Sequence, residues 1–373
     1  MIDQIFLRNF KCFEEQAISP RSLALLTGLN GMGKSSVLQA MLLLRQSYLD
    51  GLLPETGLEL NGSLVQMGTA RDIFYEDAQT DDFEIGIRWD DSCEAKFVLQ
   101  YDRDADVLKI GSPVSAPEVF RRPPFSDGSH YLQAERLGPR TTNPVSDYLV
   151  REHRQLGSAG EYVAHFLYVY GTEIVDDQRL HHPAAKANDL RNQVRAWLGE
   201  VSPGTEIHLD MHREMDVVGL RYSFATGKQR SNSYRSTLVG FGITYALPVL
   251  VAVLSAKPGD LLLIENPEAH LHPQGQAKMG ELLARAAASG VQLLVETHSD
   301  HILNGVRVAV HDGLVEPEKV TCHYFSRIEE DGRVHSKVET PKMDRDGRLS
   351  DWPAGFFDEW EKSLERLLAP RGE

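Results

Sequence analysis

Apolar residues along the chain gather in two kinds of run. Leu23 to Thr27, Leu261 to Ile264 and Val291 to Val295 are short and nearly unbroken, the pattern of strands covered on both faces of a sheet. Ile2 to Phe10 reads as a further, first strand. Helical spacing follows two of the buried runs. Val37, Met41, Leu44 and Tyr48 predict a helix over 35–48, and Met279, Leu282, Leu283 and Ala286 predict one after Pro273. An apolar stretch from Tyr245 to Ser255 predicts another helix. The middle of the chain differs. Phe83 to Trp89 and Ala95 to Tyr101 alternate, predicting a small antiparallel region on the edge of the main domain. Glu161 to Tyr170 and Ala184 to Leu198 read as helices, and Glu206 to Ser223 as two strands joined by a turn. Residues 111–128, rich in Pro and Ser, predict an exposed loop. Trp352 to Asp358 predicts an aromatic cluster that docks a closing amphipathic helix carrying Trp360, Leu364 and Leu367.

The first buried run ends in Gly28-Leu29-Asn30-Gly31-Met32-Gly33-Lys34-Ser35-Ser36, which matches GxxxxGK[ST]. Glycines let such a loop curl its N–H groups inward around an anion, and the helix behind it adds partial positive charge. Asn30, Gly31, Gly33, Lys34, Ser35 and Ser36 are therefore candidate nucleotide-binding residues. Lys34 would reach the β- and γ-phosphates, and the Ser35 hydroxyl would ligate Mg²⁺. The second run ends in Glu265-Asn266-Pro267-Glu268, the pattern of a Walker B strand whose carboxylates serve Mg²⁺ and the attacking water. The third ends in Glu296-Thr297-His298-Ser299-Asp300-His301. Motifs at the ends of neighbouring parallel strands converge on one edge of a sheet. Lys11 and Phe13 could flank a base, or be a surface lysine and a core phenylalanine. Gln66 could sense the nucleotide, although a solvated polar residue is the better reading. Arg136, Arg140, Arg151, His153 and Arg154 form the most basic segment, suited to phosphate, nucleic acid or an acidic partner, or else to surface ion pairs.

Charge and composition narrow the classes. A net charge of −15 over 373 residues argues against a protein that coats nucleic acid with its whole surface. The three cysteines, Cys12, Cys93 and Cys322, form no CxxC pair, which fits a reducing cytoplasm. The N-terminus lacks a signal peptide's apolar core, and the longest apolar run, Leu247 to Leu254, is far short of the ~20 residues of a membrane span. His270, His272, His298 and His301 make a zinc site conceivable, but a nucleotide site accounts for them better. Asp344 to Gly347 fails the spacing of a calcium loop and predicts a tight turn.

The order of motifs carries a resemblance. FLRNFKCF, the phosphate loop, Gly240-Phe241-Gly242-Ile243-Thr244, LLLIENPEAHLHP and ETHSDH resemble the ABC-type ATPases of the RecF, SMC and OLD (overcoming lysogenization defect) group. YLQAERLGPR and WPAGFFDEW are similar to stand-alone bacterial AAA-family ATPases with a short uncharacterised C-terminal domain, as found in anti-phage defence systems. The resemblance implies an α/β fold: an ATPase head with a mixed sheet flanked by helices, an inserted α/β lobe and a short C-terminal helical cap. The expected division is 1–75 for the first half of the head, 76–235 for the antiparallel region and inserted lobe, 236–325 for the second half and 326–373 for the cap.

It also implies ATP and Mg²⁺ as cofactors and a homodimer or higher oligomer with ATP at its interface. Gly240, Gly242 and Thr244 of one subunit would cap the γ-phosphate held by the other. Glu265 would serve Mg²⁺ together with Ser35, and His298 would touch the γ-phosphate. Asn266 stands where the catalytic Glu is expected, and an amide cannot accept a proton at neutral pH. Glu268 is the candidate substitute, and slow hydrolysis is expected. About seventy residues follow ETHSDH, too few for the Toprim nuclease of OLD proteins plus the closing helix, so no nuclease is expected in this chain. The expected role is an ATP-dependent switch acting on a separate effector, a nuclease or other toxin, or on DNA or RNA, with no membrane. The alternatives are a RecF-like DNA-repair ATPase that binds DNA directly and a non-hydrolysing ATP-dependent scaffold.

Overall fold

The computed structural model describes residues 1–111, 116–227, 229–330, 333–353 and 355–369. Its strands in chain order are β1 (Ile2–Phe10), β2 (Phe13–Ile18), β3 (Leu23–Gly28), β4 (Gly57–Glu59), β5 (Asp82–Trp89), β6 (Glu94–Gln100), β7 (Val107–Lys109), β8 (Ser129–Leu132), β9 (Asn143–Pro144), β10 (Thr205–His212), β11 (Val217–Thr226), β12 (Gln229–Arg230), β13 (Tyr234–Arg235), β14 (Leu261–Glu265), β15 (Gln292–Glu296), β16 (Val320–Glu330) and β17 (Arg333–Glu339). The helices are α1 (Lys34–Leu49), α2 (Ala70–Ile73), α3 (Val163–Tyr170), α4 (Leu190–Val201), α5 (Phe241–Ser255), α6 (Pro273–Ala288), α7 (Asp300–His311) and α8 (Glu359–Leu368).

The main sheet runs β17-β16-β3-β15-β14-β8, parallel except for the β16–β17 hairpin. Its inner strands are buried on both faces, as their unbroken apolar runs require. Leu23, Leu25, Leu262, Ile264, Leu293 and Val295 pack on one side, with α3 to α7. Ala24, Leu26, Leu261, Leu263 and Leu294 pack on the other, against α1 and a second sheet. That second sheet is antiparallel, in the order β2-β1-β5-β6. Helix α1 is sandwiched between the two sheets, so Leu38, Leu42 and Leu43 are as buried as the predicted stripe of Val37, Met41 and Leu44. A third sheet, β10 and β11 with the short β9, β12 and β13, belongs to the lobe.

Several expectations change. The alternating segments form the expected small antiparallel region, but not alone: β5 pairs with β1 and β6 with β5 in the separate sheet that covers α1. β8, inside the 76–235 segment, is an edge of the main sheet. The boundary drawn at 325/326 falls within β16. The loop expected to be exposed at 111–128 is packed where it is described: Phe120 stacks on Tyr48 at 5.0 Å, and the Arg45 guanidinium donates to the carbonyl of Ser126 at 2.8 Å. Residues 112–115 of that loop, and residue 354 of the aromatic cluster, lie outside the described residues. Phe356 is the docking aromatic, edge-on to Tyr324, but α8 itself keeps Trp360 73% and Leu367 81% exposed. Helix α4 starts six residues later than Ala184, at the point where Asp189 caps the amide of Asn192 at 3.2 Å. Among the described residues no helix is long and apolar enough to cross a membrane.

Candidate functional site

The phosphate loop leaves the C-terminal end of β3 and enters α1. Gly28 has φ +131°, and a Cβ there would meet the carbonyl oxygen of Phe325 on β16 at 2.2 Å. Only glycine makes that turn beside a neighbouring strand. The Lys34 side chain is 3% exposed, and its amine donates to the carbonyls of Gly28 at 2.9 Å and Leu29 at 2.8 Å. It therefore lies folded back across its own loop. Burial lowers its pKa, and the Glu296 charge opposes that shift. Asn30 and Gly31 are exposed on the rim, while Gly33 and Ser36 are buried beneath it. The loop opens into a cleft of about 900 Å³ whose walls include Lys11, Gln39, Phe74, Tyr101 and Arg327.

Two carboxylates end adjacent strands, because Glu265 and Glu296 are direct partners in the β14–β15 register. They are held differently. Glu265 accepts from the Tyr131 hydroxyl at 2.9 Å and the Ala134 amide at 3.1 Å. Glu296 accepts from the Ser35 hydroxyl at 3.0 Å and lies 4.0 Å from the Lys34 amine, while its second oxygen is buried without a hydrogen-bond partner. Burial raises the Glu296 pKa, the Ser35 hydrogen bond opposes this, and the neighbouring Glu265 charge adds to it.

Glu268 is committed elsewhere. It accepts from the Thr297 hydroxyl and the His298 amide, both at 2.8 Å, so the turn after β14 is tied to the loop that presents His298. Burial raises its pKa, and these hydrogen bonds oppose the rise. The His298 imidazole is held below its ordinary pKa by partial burial and then by Lys34, which favours the neutral form. Asn266 sits in the left-handed region with φ +45°, and its side-chain oxygen is buried without a partner.

The Gly240, Gly242 and Thr244 motif opens α5, with Gly240 as its N-terminal cap. None of the three lines the phosphate-loop cleft. The turn instead packs on His270, whose ring lies 5.6 Å from Phe241 and 4.4 Å from Tyr245. His272 caps α6, accepting from the Gln274 amide at 3.4 Å, and His301 lies beside Asp300. The four histidines thus serve different elements. Among the described residues no group of three or more His, Cys, Asp and Glu side chains is placed to hold a metal by itself. Mg²⁺ asks for less, because it keeps waters and substrate phosphates and takes only one or two carboxylates. The orphaned Glu296 oxygen beside the Ser35 hydroxyl fits that demand.

Other predicted residues fall outside the cleft. Gln66 is exposed and bridges to Asn61. Phe13 is 2% exposed, packed on Phe325 under the loop, so of the Lys11–Phe13 pair only Lys11 reaches the cleft. The aromatic pair on its wall is Phe74 and Tyr101, stacked at 4.2 Å. Arg151 and Arg154 form surface ion pairs with Asp147 and Glu173. Arg136 does not. It is 2% exposed and donates to the backbone carbonyls of Glu265 at 2.7 Å and of Asn266, and burial pulls its pKa to about 10. Arg327 donates from β16 to the carbonyl of Gly31 at 3.0 Å. Glu296 and Arg327 were not legible as site residues. Glu296 stood inside a recognised motif without a role, and Arg327 lies 296 positions from its partner.

Comparison with known proteins agrees with this geometry. Residues 23–304 match the family described as "AAA domain, putative AbiEii toxin, Type IV TA system". Residues 315–367 match a second family, described as a protein of unknown function (DUF3696). No curated protein gives a significant match. Among solved structures, an SMC head bound to the C-winged helix domain of ScpA superimposes with a TM-score of 0.54 at 14% identity, covering 91% of this chain and 98% of that one. An Smc head with an extended coiled coil, bound to the C-terminal domain of ScpA derived from Pyrococcus furiosus, gives 0.51 at 14% identity and covers 99% of both chains. The family match spans most of the chain, so the chain belongs to this AAA domain family, and its fold is that of SMC heads.

Proposed function

We propose that the protein binds Mg·ATP in the phosphate-loop cleft, dimerises around it, hydrolyses it slowly and thereby switches a separate effector. One observation carries this reading: Lys34, Ser35 and Glu296 line one cleft, at the edge of the parallel sheet where Glu265 and His298 also stand. Asn30, Gly31, Gly33 and Ser36 complete the loop that would wrap the phosphates. ATP entry would draw the Lys34 amine from the loop carbonyls onto the β- and γ-phosphates. Ser35 and a strand-end carboxylate, Glu265 in the sequence reading, would hold the Mg²⁺, which when bound neutralises charge on the phosphate oxygens.

Gly240, Gly242 and Thr244 lie off the cleft of their own subunit, which supports their use on the ATP of a partner copy. Leu29 on the phosphate loop and Leu238 and Phe241 beside the α5 turn are exposed apolar residues suited to such a contact. The α5 N-terminus would offer the γ-phosphate its amides and partial positive charge. His298 would donate to the same group, and Asn266 would orient the water. With Glu268 tied to Thr297 and His298, neither residue supplies an obvious base, so turnover rests on positioning and electrostatics and is slow. The separate effector, a nuclease or other toxin, is the reading of the sequence resemblance, and the matched family's description places its members in toxin–antitoxin systems. In the expected test, ATP and Mg²⁺ shift wild-type protein toward a dimer by light scattering, and Lys34→Ala stays folded but neither binds ATP nor dimerises. ATP affinity unchanged in a folded Lys34→Ala protein rejects the reading.

A further inference from the structure

The end of β15 holds an unused acidic group. Glu296 is 7% exposed, and one of its oxygens has no donor although it is buried. A buried carboxylate oxygen without a partner has lost its water and received nothing in return. Glu265 is different: each of its oxygens already has a protein donor, Tyr131 for one and the Ala134 amide for the other. Of the two strand-end carboxylates, Glu296 is the one with an oxygen that accepts no hydrogen bond, and it lines the phosphate-loop cleft, which Glu265 does not. It also touches the hydroxyl that a phosphate loop gives to Mg²⁺, Ser35 at 3.0 Å, and stands 4.0 Å from the Lys34 amine.

Resting on the ATP site proposed above, we propose that Glu296 takes Mg²⁺ with Ser35, directly or through a metal-bound water, in addition to the Walker B carboxylate Glu265. Mg²⁺ prefers hard oxygen ligands and needs few from the protein when phosphates supply the rest. The Ser35–Glu296 hydrogen bond keeps the two ligands together before nucleotide arrives. The same placement makes ATP binding conditional on the cation. Without Mg²⁺, the Glu296 charge faces the triphosphate across a buried gap and repels it. With Mg²⁺, that charge becomes an attraction. Substitution by glutamine therefore acts with opposite sign in the two conditions, which loss of packing cannot do.

The test is titration of mant-ATP into wild type, Glu296→Gln and Glu265→Gln, in EDTA and in excess Mg²⁺, with Mn²⁺ electron paramagnetic resonance of the ATP complex as a direct metal readout. In EDTA, Glu296→Gln is expected to bind mant-ATP as tightly as wild type or more tightly, which also shows that it is folded. In Mg²⁺ it is expected to lose at least about tenfold of the affinity gain that wild type shows, and to bind Mn²⁺ correspondingly less well. A Glu296→Gln protein with the full wild-type Mg²⁺ gain overturns the assignment, as does one that binds poorly in EDTA. So does a Glu265→Gln protein that alone loses the gain. Wild type that binds no mant-ATP in either condition removes the ATP site itself, and is told apart by the wild-type titration.

Discussion

Asn266 has a backbone reason to be asparagine. Its φ of +45° lies in the left-handed region, where Asn is among the most tolerant non-glycine residues. Its amide donates to the Glu296 carbonyl at 2.8 Å and its own carbonyl accepts from Arg136, so this conformation is held from both sides. Installing the expected catalytic acid therefore has two consequences. Asn266→Glu is expected to hydrolyse ATP at the wild-type rate or faster, and to be less stable by about 1 kcal/mol from strain at that position. Phosphate-release kinetics and a urea midpoint check both; a slower enzyme removes the argument that a base is missing. His323, on β16, gives a prediction in pH. Burial lowers its pKa to about 4, so on acidification the unfolded chain takes the proton first. Stability is full at neutral pH and falls as pH drops from the unfolded value near 6.5 toward 4. Between pH 7 and 5, His323→Gln is expected to lose about 2 kcal/mol less than wild type in urea titrations. At this scale the sequence was readable where chemistry is local. Lys34 and Ser35 stand in one contiguous motif, whereas Glu296 acquires its meaning from Ser35, 261 positions away.

Helices and strands were more legible than their partners. The unbroken apolar runs were strands because both faces of β3, β14 and β15 are covered, and period alone reveals that. Period predicted that β5 and β6 form a small antiparallel region, but it could not say that β1 and β2 complete that sheet or that it lies across α1. Helix α8 was expected to bury its apolar stripe, and its exposed Trp360 shows that amphipathic spacing does not by itself name a covering surface. A close contact between helices is also invisible to period. Where α6 crosses α7, a Cβ on Gly305 would stand 2.0 Å from the Ala277 carbonyl oxygen, and one on Gly280 would stand 2.3 Å from that of Ile302. Gly305→Ala must part the helices or shift the backbone, at about 1–3 kcal/mol. Because α7 starts two residues after His298, its displacement is expected to lower ATP turnover as well. A lowered urea midpoint with unchanged m-value, together with slower phosphate release, is the expected pair; an unchanged midpoint shows that the contact yields freely.

For the whole molecule, two copies facing one another make a prediction that one copy cannot. Gly240 can be changed without touching its neighbours, since a Cβ there meets nothing within 4 Å. Gly240→Glu therefore places a charge at the proposed γ-phosphate cap and leaves the fold alone. Lys34→Ala and Gly240→Glu are each expected to be inactive. Mixed in equal amounts they form dimers with one complete site, and up to about a quarter of wild-type turnover is expected to return if subunits mix freely. A mixture as inactive as its parts rules out a shared site. The sheet order also sets a schedule for the chain as it is made. β3, which carries the phosphate loop, has as neighbours only β15 and β16, both contributed by the last third of the sequence. β1, β2, β5 and β6 pair among themselves within the first hundred residues. A ribosome adding roughly 5–20 residues per second thus finishes the antiparallel sheet early and leaves β3 unpaired for tens of seconds afterwards. The strand that carries the phosphate loop has both neighbours only once β16 has emerged, so ATP retention on stalled nascent chains of increasing length is expected to rise in one late step.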